Sequence, residues 1–130
     1  MLYIDVMSRT PVYEQICDQI KKLVSVGLLK EGEQLPSVRS LSIELSVNPN
    51  TIQKAYGELD AMGIVTSVPG KGCFVMPGAK EKLCAHARRR LSELTELASE
   101  LMAAGVSREE IIEAAMAAGS EKETADDNNN

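Results

Sequence analysis

The stretch that most constrains the fold lies in residues 48–62. Asn48 can cap a helix N-terminus with its side-chain oxygen, and Pro49 suits the first helical position, where its missing N–H costs nothing. Apolar residues then recur with the spacing of one helical face: Ile52, Ala55, Tyr56, Leu59 and Met62. The opposite face is polar and nearly free of acidic residues. The pattern therefore predicts a helix that buries one face and exposes a polar one.

The polar face of this helix carries side chains that can read base edges in a major groove. Asn50 or Gln53 can pair with adenine through two hydrogen bonds, and Lys54 can reach guanine or a phosphate. Thr51 can bond a phosphate or touch a thymine methyl group. A solvated face is the alternative interpretation, so the flanking segments decide between the two.

A second, shorter helix is predicted directly before it, over residues 37–45. Ser37 is placed to cap it, and Val38, Leu41 and Leu45 fall on one side. Only Ser46 and Val47 separate this helix from the Asn48 cap. Two short helices joined by a tight turn, the second with a polar face, indicate a helix-turn-helix.

A β-hairpin is predicted after the polar-faced helix, which ends at Gly63. Residues 64–68 and 73–76 have strand composition, and Pro69-Gly70-Lys71-Gly72 lies between them. A hairpin in this position is a wing. Its glycines allow close approach to a groove, and Lys71 places a cation at the tip. The fold class expected is mainly α with a small β-hairpin wing, a winged helix-turn-helix.

Four segments of the chain resemble, in the same order, the N-terminal DNA-binding domain of the GntR family of bacterial transcription regulators. They are PVYEQI at 11–16, GEQLPSVRSL at 32–41, VNPNTIQKAY at 47–56 and GKGCFV at 70–75. Cys73 departs from the hydroxyl residue expected at that wing position. The short C-terminal remainder is similar to the YtrA subfamily, which carries a small helical dimerisation region instead of a full effector domain. The resemblance implies a dimeric repressor of an operon, with a membrane transporter operon as the expected target.

Spacing alone leaves two interpretations of Arg39 open, a solvated arginine paired with an acid or a DNA contact. The resemblance implies the DNA contact. The residues expected to bind double-stranded operator DNA are Arg39, Asn50, Thr51, Gln53, Lys54, Gly70, Lys71 and Gly72.

The charge distribution requires a few well-placed cations and excludes a broad positive field. The net charge is −5, of which residues 1–78 contribute −1 and residues 79–130 contribute −4. Weak non-specific DNA affinity is therefore expected. The same acidic balance is the best support for an alternative function, a winged-helix module for protein–protein interaction without sequence-specific DNA binding.

The region after the wing is expected to form a homodimer interface. Pro77-Gly78 marks the boundary between a DNA-binding domain at 1–77 and a helical dimerisation region at 78–120. One long amphipathic helix is predicted over residues 80–104, and a capping box at Ser107 opens a last helix. Residues 121–130 are expected to be a disordered polar tail. The predicted interface residues are Leu83, Ala87, Leu91, Leu94, Ala98, Leu101, Ile111, Ile112 and Ala115.

Other classes of function are not supported. Cys84 and His86 lie two residues apart but lack the further ligands of a metal site, so no metal or cofactor is expected. The chain has no paired nucleophile and base and no phosphate-binding loop, and an enzyme is not expected. The three cysteines suggest no disulfide framework, and no apolar run could cross a membrane, so a cytoplasmic protein is expected. Residues 88–90, three arginines, suit either a solvated face or a DNA-contacting patch. No small-molecule effector is identified.

Overall fold

The computed structural model describes the backbone of residues 2–128 and the side chains of residues 2–119. It contains α1 (Val12–Ser25), α2 (Val38–Leu45), α3 (Pro49–Ala61), β1 (Val65–Val68), β2 (Gly72–Val75), α4 (Ala79–Arg88), α5 (Leu91–Ala103) and α6 (Arg108–Asn128). The chain divides into two compact units, Met1–Ala87 and Arg88–Asn130. The mainly helical architecture with one small hairpin confirms the predicted fold class.

The N-terminal arm is tied to α1 by two glutamine side chains. The Asp5 backbone N–H donates to Gln15 Oε1 at 2.8 Å, and Tyr3 N–H donates to Gln19 Oε1 at 2.8 Å. Thr10, next to Pro11, is a residue type that can cap a helix, but its side chain does not cap α1. The residue before the helix is Pro11, without a side-chain cap, and the Thr10 carbonyl instead accepts a hydrogen bond from Gln15 Nε2 at 2.9 Å.

The helix-turn-helix is built on the two predicted caps. Ser37 Oγ accepts a hydrogen bond from Ser40 N–H at 3.0 Å, and Asn48 Oδ1 accepts one from Asn50 N–H at 2.8 Å. Each bond satisfies a backbone donor that has no partner within its helix. Between the two helices, Ser46 adopts a left-handed conformation with φ of 55°, which makes the turn tight. The prediction for this motif is confirmed.

The wing is a two-stranded antiparallel hairpin with a third segment beside it. Val65 pairs with Val75, and Val68 pairs with Gly72. On the outer side of β2, the loop before α2 forms a bridge between Gln34 and Phe74. Leu35 N–H also donates to the Cys73 carbonyl at 2.8 Å. This loop therefore extends the wing and anchors it to the start of α2.

An aliphatic core holds the first unit together, as the lack of tryptophan requires. Its fully buried large side chains are Ile16, Ile20, Leu41, Ile52, Leu59, Ile64, Val65 and Val75. Burial of a side chain of this size contributes roughly 1.5–3 kcal/mol. The Tyr56 ring is also buried, and its hydroxyl donates to the Pro36 carbonyl at 2.7 Å, which links α3 to the start of α2. The core thereby fixes the orientation of α3.

The helix α4 belongs to the first unit. Ala79 and Leu83 are buried in the same core, and the Gly78 N–H donates to Glu31 Oε1 at 2.9 Å. The sequence places a domain boundary after residue 77, whereas the compact unit extends to Ala87. The prediction of one continuous helix from 80 to 104 is wrong, because α4 ends at Arg88 and α5 begins at Leu91. No glycine or proline marks that interruption in the sequence.

The second unit consists of α5 and α6. The predicted capping box is confirmed, since Glu110 N–H donates to Ser107 Oγ at 3.2 Å and Ser107 N–H donates to Glu110 Oε2 at 2.9 Å. The backbone of α6 continues to Asn128, although the sequence predicts a disordered tail from residue 121. The side chains of residues 120–130 and the backbone of the last two lie outside the described residues, so that tail stays a prediction.

Candidate nucleic-acid interface

The polar face of α3 points away from the core. Ile52 and Ala55 have no exposed surface, which fixes the rotation of the helix about its axis. As a result Asn50, Gln53 and Lys54 are exposed. Thr51 is half-buried, and Arg39 on α2 is exposed. Within the described residues Arg39 forms no ion pair.

A concave surface lies between the start of α2, the middle of α3 and the wing. Its volume is about 750 Å³, and Gln53, Gly57 and Lys71 are among the residues that line it. Of the predicted DNA-binding residues, this surface brings together Gln53, Gly70, Lys71 and Gly72. Arg39, Asn50, Thr51 and Lys54 lie outside it, on the flanking parts of α2 and α3. The predicted contacts therefore divide between this surface and the N-terminal halves of α2 and α3 beside it.

Lys54 contacts the first helix through a residue that the sequence did not single out. Its ammonium nitrogen lies 3.9 Å from the centroid of the Tyr13 ring, a cation–π contact. The Tyr13 hydroxyl donates to Glu14 Oε1 at 3.2 Å, and this hydrogen bond raises the pKa of the Tyr13 phenol. The charge of Lys54 is thereby held at the junction of α1 and α3. In the sequence, the one signal that could have indicated this contact is the aromatic residue Tyr13 close to the start of α1.

The tip of the wing depends on two glycines and on one glutamine. Gly70 has φ of 75° and Gly72 has φ of 123°, both in the left-handed region that favours glycine. The Gln34 side-chain amide donates to the Lys71 carbonyl at 2.9 Å. Gln34 is absent from the predicted site, because nothing in its local sequence places it beside residue 71.

Gly57 lies inside α3, where glycine costs about 1 kcal/mol relative to alanine, and close approach to another backbone is a plausible reason for it. Within the described part of the chain, a Cβ atom added to Gly57 would meet nothing within 4 Å. The residue is exposed and borders the concave surface. The described part of the chain therefore supplies no close neighbour that would require glycine here.

The predicted interface residues of the C-terminal region fall into three groups. Leu83 is buried in the first unit and Ala87 is exposed on the same helix. In the second unit, Ala98 and Ile111 are half-buried, and both line a groove formed by residues of α5 and α6. The remaining residues are exposed, and they are Leu91, Leu94, Leu101, Ile112 and Ala115.

Between α5 and α6 lies an apolar groove of about 290 Å³. An apolar surface of this kind is typical of a face that binds another chain.

The three consecutive arginines are exposed. Arg90 Nε lies 3.0 Å from Glu93 Oε2, and both side chains are more than half exposed. Because both side chains of this ion pair are solvated, it contributes little to the stability of the fold. Among residues 2–128, no helix has the length and apolar composition that crossing a membrane requires.

Comparisons with known proteins identify the family. The profile of the family described as "Bacterial regulatory proteins, gntR family" matches residues 12–75. The chain is 40% identical to the HTH-type transcriptional repressor YtrA of Bacillus subtilis over 114 residues, which cover 87% of this chain and 88% of that protein.

Solved structures agree with this assignment. A transcriptional regulator from Oenococcus oeni superimposes with a TM-score of 0.71 at 34% identity, covering 88% of this chain and 96% of that one. The DNA-binding domain of AraR, solved in complex with operator ORX1, matches with a TM-score of 0.51 at 30% identity and covers 57% of this chain and 92% of its own. The chain belongs to the GntR family of bacterial regulatory proteins, which are DNA-binding transcription regulators and not enzymes.

Proposed function

We propose that this chain is a homodimeric transcription repressor that reads an inverted-repeat operator with α3 and the wing. The observation that carries the proposal is the exposed face of α3. Two amides and a lysine, Asn50, Gln53 and Lys54, project from a helix whose opposite face is fully buried. Such a helix can enter a major groove without any rearrangement of the core.

The proposed contacts have distinct chemical roles. Gln53 and Asn50 read adenine through paired hydrogen bonds, and Arg39 binds a guanine edge or a phosphate. Lys54 and Thr51 bind the flanking phosphates. At the wing, Lys71 and the two glycines beside it contact the minor groove or its phosphates. Few cations take part, so sequence-independent binding should be weak.

The second copy of the chain is proposed to bind at the apolar face of α5 and α6. Leu91, Leu94 and Leu97 on α5 are each about half exposed, and Ile112 on α6 is 51% exposed. So much exposed apolar surface on these two helices is unfavourable in water, and pairing with a second copy removes it. A two-fold dimer would place its recognition helices in major grooves about 34 Å apart, which matches an inverted repeat.

The mode of repression, the cellular location and the target operon are inferred from this role. Occupying promoter DNA would block transcription without any further activity. A regulator that binds DNA acts in the cytoplasm, and similarity to the YtrA subfamily favours a transporter operon as the target. A ligand that modulates the dimer would have to change the spacing of its two DNA-binding units.

The decisive experiment is binding to the DNA upstream of the chain's own gene. Fluorescence anisotropy with that duplex and a scrambled duplex, at several salt concentrations, measures both preference and phosphate contacts. Preferential, salt-sensitive binding of two chains per duplex is expected. Equal binding to both duplexes, followed by an empty genome-wide DNA pull-down, would contradict the proposal.

One observation favours a second candidate function. The net charge of −5 is unusual for a DNA-binding protein, and it suits a winged-helix module that binds another protein. The same salt series separates the two functions, because a surface that binds only protein produces no salt-dependent affinity for DNA.

A further inference from the structure

The loop before α2 reaches the tip of the wing through one side chain. Gln34 Nε2 donates to the Lys71 carbonyl at 2.9 Å, although 37 residues separate the two in sequence. The loop backbone fixes where this side chain starts. Gln34 is bridged to Phe74, and Val75 N–H donates to the Glu33 carbonyl at 2.9 Å. The hydrogen bond to Lys71 is thus set by the register of the loop along β2.

Gly72 leaves the space that the Gln34 amide occupies. A Cβ atom added at position 72 would lie 2.4 Å from Gln34 Nε2, a separation that real atoms do not adopt. The φ of 123° at Gly72 also favours glycine. Two independent requirements therefore act at this position, the backbone conformation and the room for the glutamine amide.

The wing tip has few other restraints. Pro69, Gly70, Lys71 and Gly72 are all exposed. The backbone hydrogen bond within the turn runs from Lys71 N–H to the Val68 carbonyl at 3.0 Å. The amide of Gln34 holds the next peptide unit, between Lys71 and Gly72, at the Lys71 carbonyl. Since a tip with two left-handed glycines has a large choice of conformations, this additional bond reduces the conformational entropy that DNA binding would have to remove.

We infer that Gln34 is a positioning residue for the DNA contact of the wing, acting through the backbone of Lys71. Its hydrogen bond orients the Lys71 peptide and so limits where the ammonium group can go. The inference rests on the proposed function, because it assigns a purpose to the geometry of the wing tip in DNA binding. It adds to the DNA-binding surface a residue that need not touch DNA.

The test compares Gln34→Leu with wild type in the full chain. Leucine keeps much of the side-chain volume and removes the donor. Loss of one hydrogen bond that pre-organises the tip should weaken binding to the preferred duplex by about twofold to tenfold. The slope of log affinity against log salt should fall toward that of Lys71→Ala, which is expected to be smaller than wild type by about one unit.

A matched control and a double variant make the result specific. Gln19→Leu also removes hydrogen bonds between segments, at the N-terminal arm, and should leave DNA affinity unchanged. In the Lys71→Ala background, Gln34→Leu should cause no further loss, because the cation that it positions is already gone. Wild-type affinity and salt slope in Gln34→Leu, or fully additive losses in the double variant, would overturn the inference.

A measurement without DNA separates this inference from the proposed function. Backbone ¹⁵N relaxation should report lower order parameters at Lys71 and Gly72 in Gln34→Leu than in wild type, while the order parameters of α3 stay the same. One outcome is that wild type shows no DNA preference while the order parameters at the wing tip still fall in Gln34→Leu. In that outcome the proposed function is wrong, but the restraint of the tip by Gln34 holds. An unchanged tip would refute the restraint itself, whatever the DNA experiment gives.

Discussion

Lys54 on α3 and Tyr13 on α1 form a cation–π contact, with the ammonium nitrogen 3.9 Å from the ring centroid. The contact joins the proposed recognition helix to the first helix at a point where both side chains reach the surface. It therefore couples the position of a proposed DNA-binding cation to the packing of α1 on α3.

Double-mutant analysis should detect this coupling in the free protein. Lys54→Met should lower the free energy of unfolding less in a Tyr13→Leu background than in wild type, because the ring that attracts the ammonium group is then absent. Urea denaturation measures the four proteins. Tyr13→Phe is the control, since it keeps the ring and loses only the hydroxyl bond to Glu14. Additive effects of the two substitutions would mean that the contact contributes nothing to folding.

Gln53→Ala should change the base preference of the protein at one operator position. If Gln53 makes two hydrogen bonds to one base, its loss costs about 1–3 kcal/mol of discrimination there. Anisotropy titrations against a set of duplexes, each with one base pair changed, give the preference at every position. An equal loss of affinity for all duplexes would rule out base reading by Gln53, and Gln19→Ala serves as the control for a glutamine outside the interface.

Gly57→Ala should stabilise the protein by about 0.5–1 kcal/mol, because alanine is the better helix former and its Cβ would meet open space. Thermal or urea unfolding measures the change. Gly63→Ala is the matched comparison and should destabilise, since Gly63 has φ of 78°, a backbone conformation that strains an alanine. A loss of stability in Gly57→Ala would contradict the exposed position of this residue.

Leu94→Asp should convert the proposed dimer into monomers. Leu94 is 49% exposed on α5, and the substitution places a charge on the face that would meet the second copy. Sedimentation velocity measures the change. Leu28→Asp is the control, because Leu28 is 71% exposed in the first unit and should not affect association. A dimer that persists in Leu94→Asp would move the interface to another surface.

Local signals in the sequence predict the proposed site better than they predict the region after it. The caps at Ser37 and Asn48 and the turn at Gly70 act within a few residues, and the structure confirms all three elements. The contacts of Gln34 with Lys71 and of Tyr13 with Lys54 join residues far apart in sequence. Such contacts depend on how the loop, the wing and the helices are arranged in space, which a periodic pattern does not contain.

In the region around α4, the apolar pattern of the sequence predicts one surface where the structure has two. Leu83 has the spacing of the residues that follow it, so the sequence assigns it to the same apolar face as Leu91. In the structure Leu83 instead completes the core of the first unit, whereas Leu91 is 59% exposed. Apolar residues that share one spacing in the sequence therefore belong to two separate surfaces, because the helix is interrupted at residues 89–90.

The different surroundings of the three cysteines make the chain convenient for spectroscopic labelling. Cys17 and Cys73 are buried, and burial raises the pKa of the Cys17 thiol to about 11 and raises that of Cys73 as well. Both therefore stay protonated and shielded at neutral pH, while Cys84 is exposed on α4. A maleimide dye added to the native protein should attach at one known position, so that single-molecule fluorescence could follow the protein on its DNA without engineered cysteines.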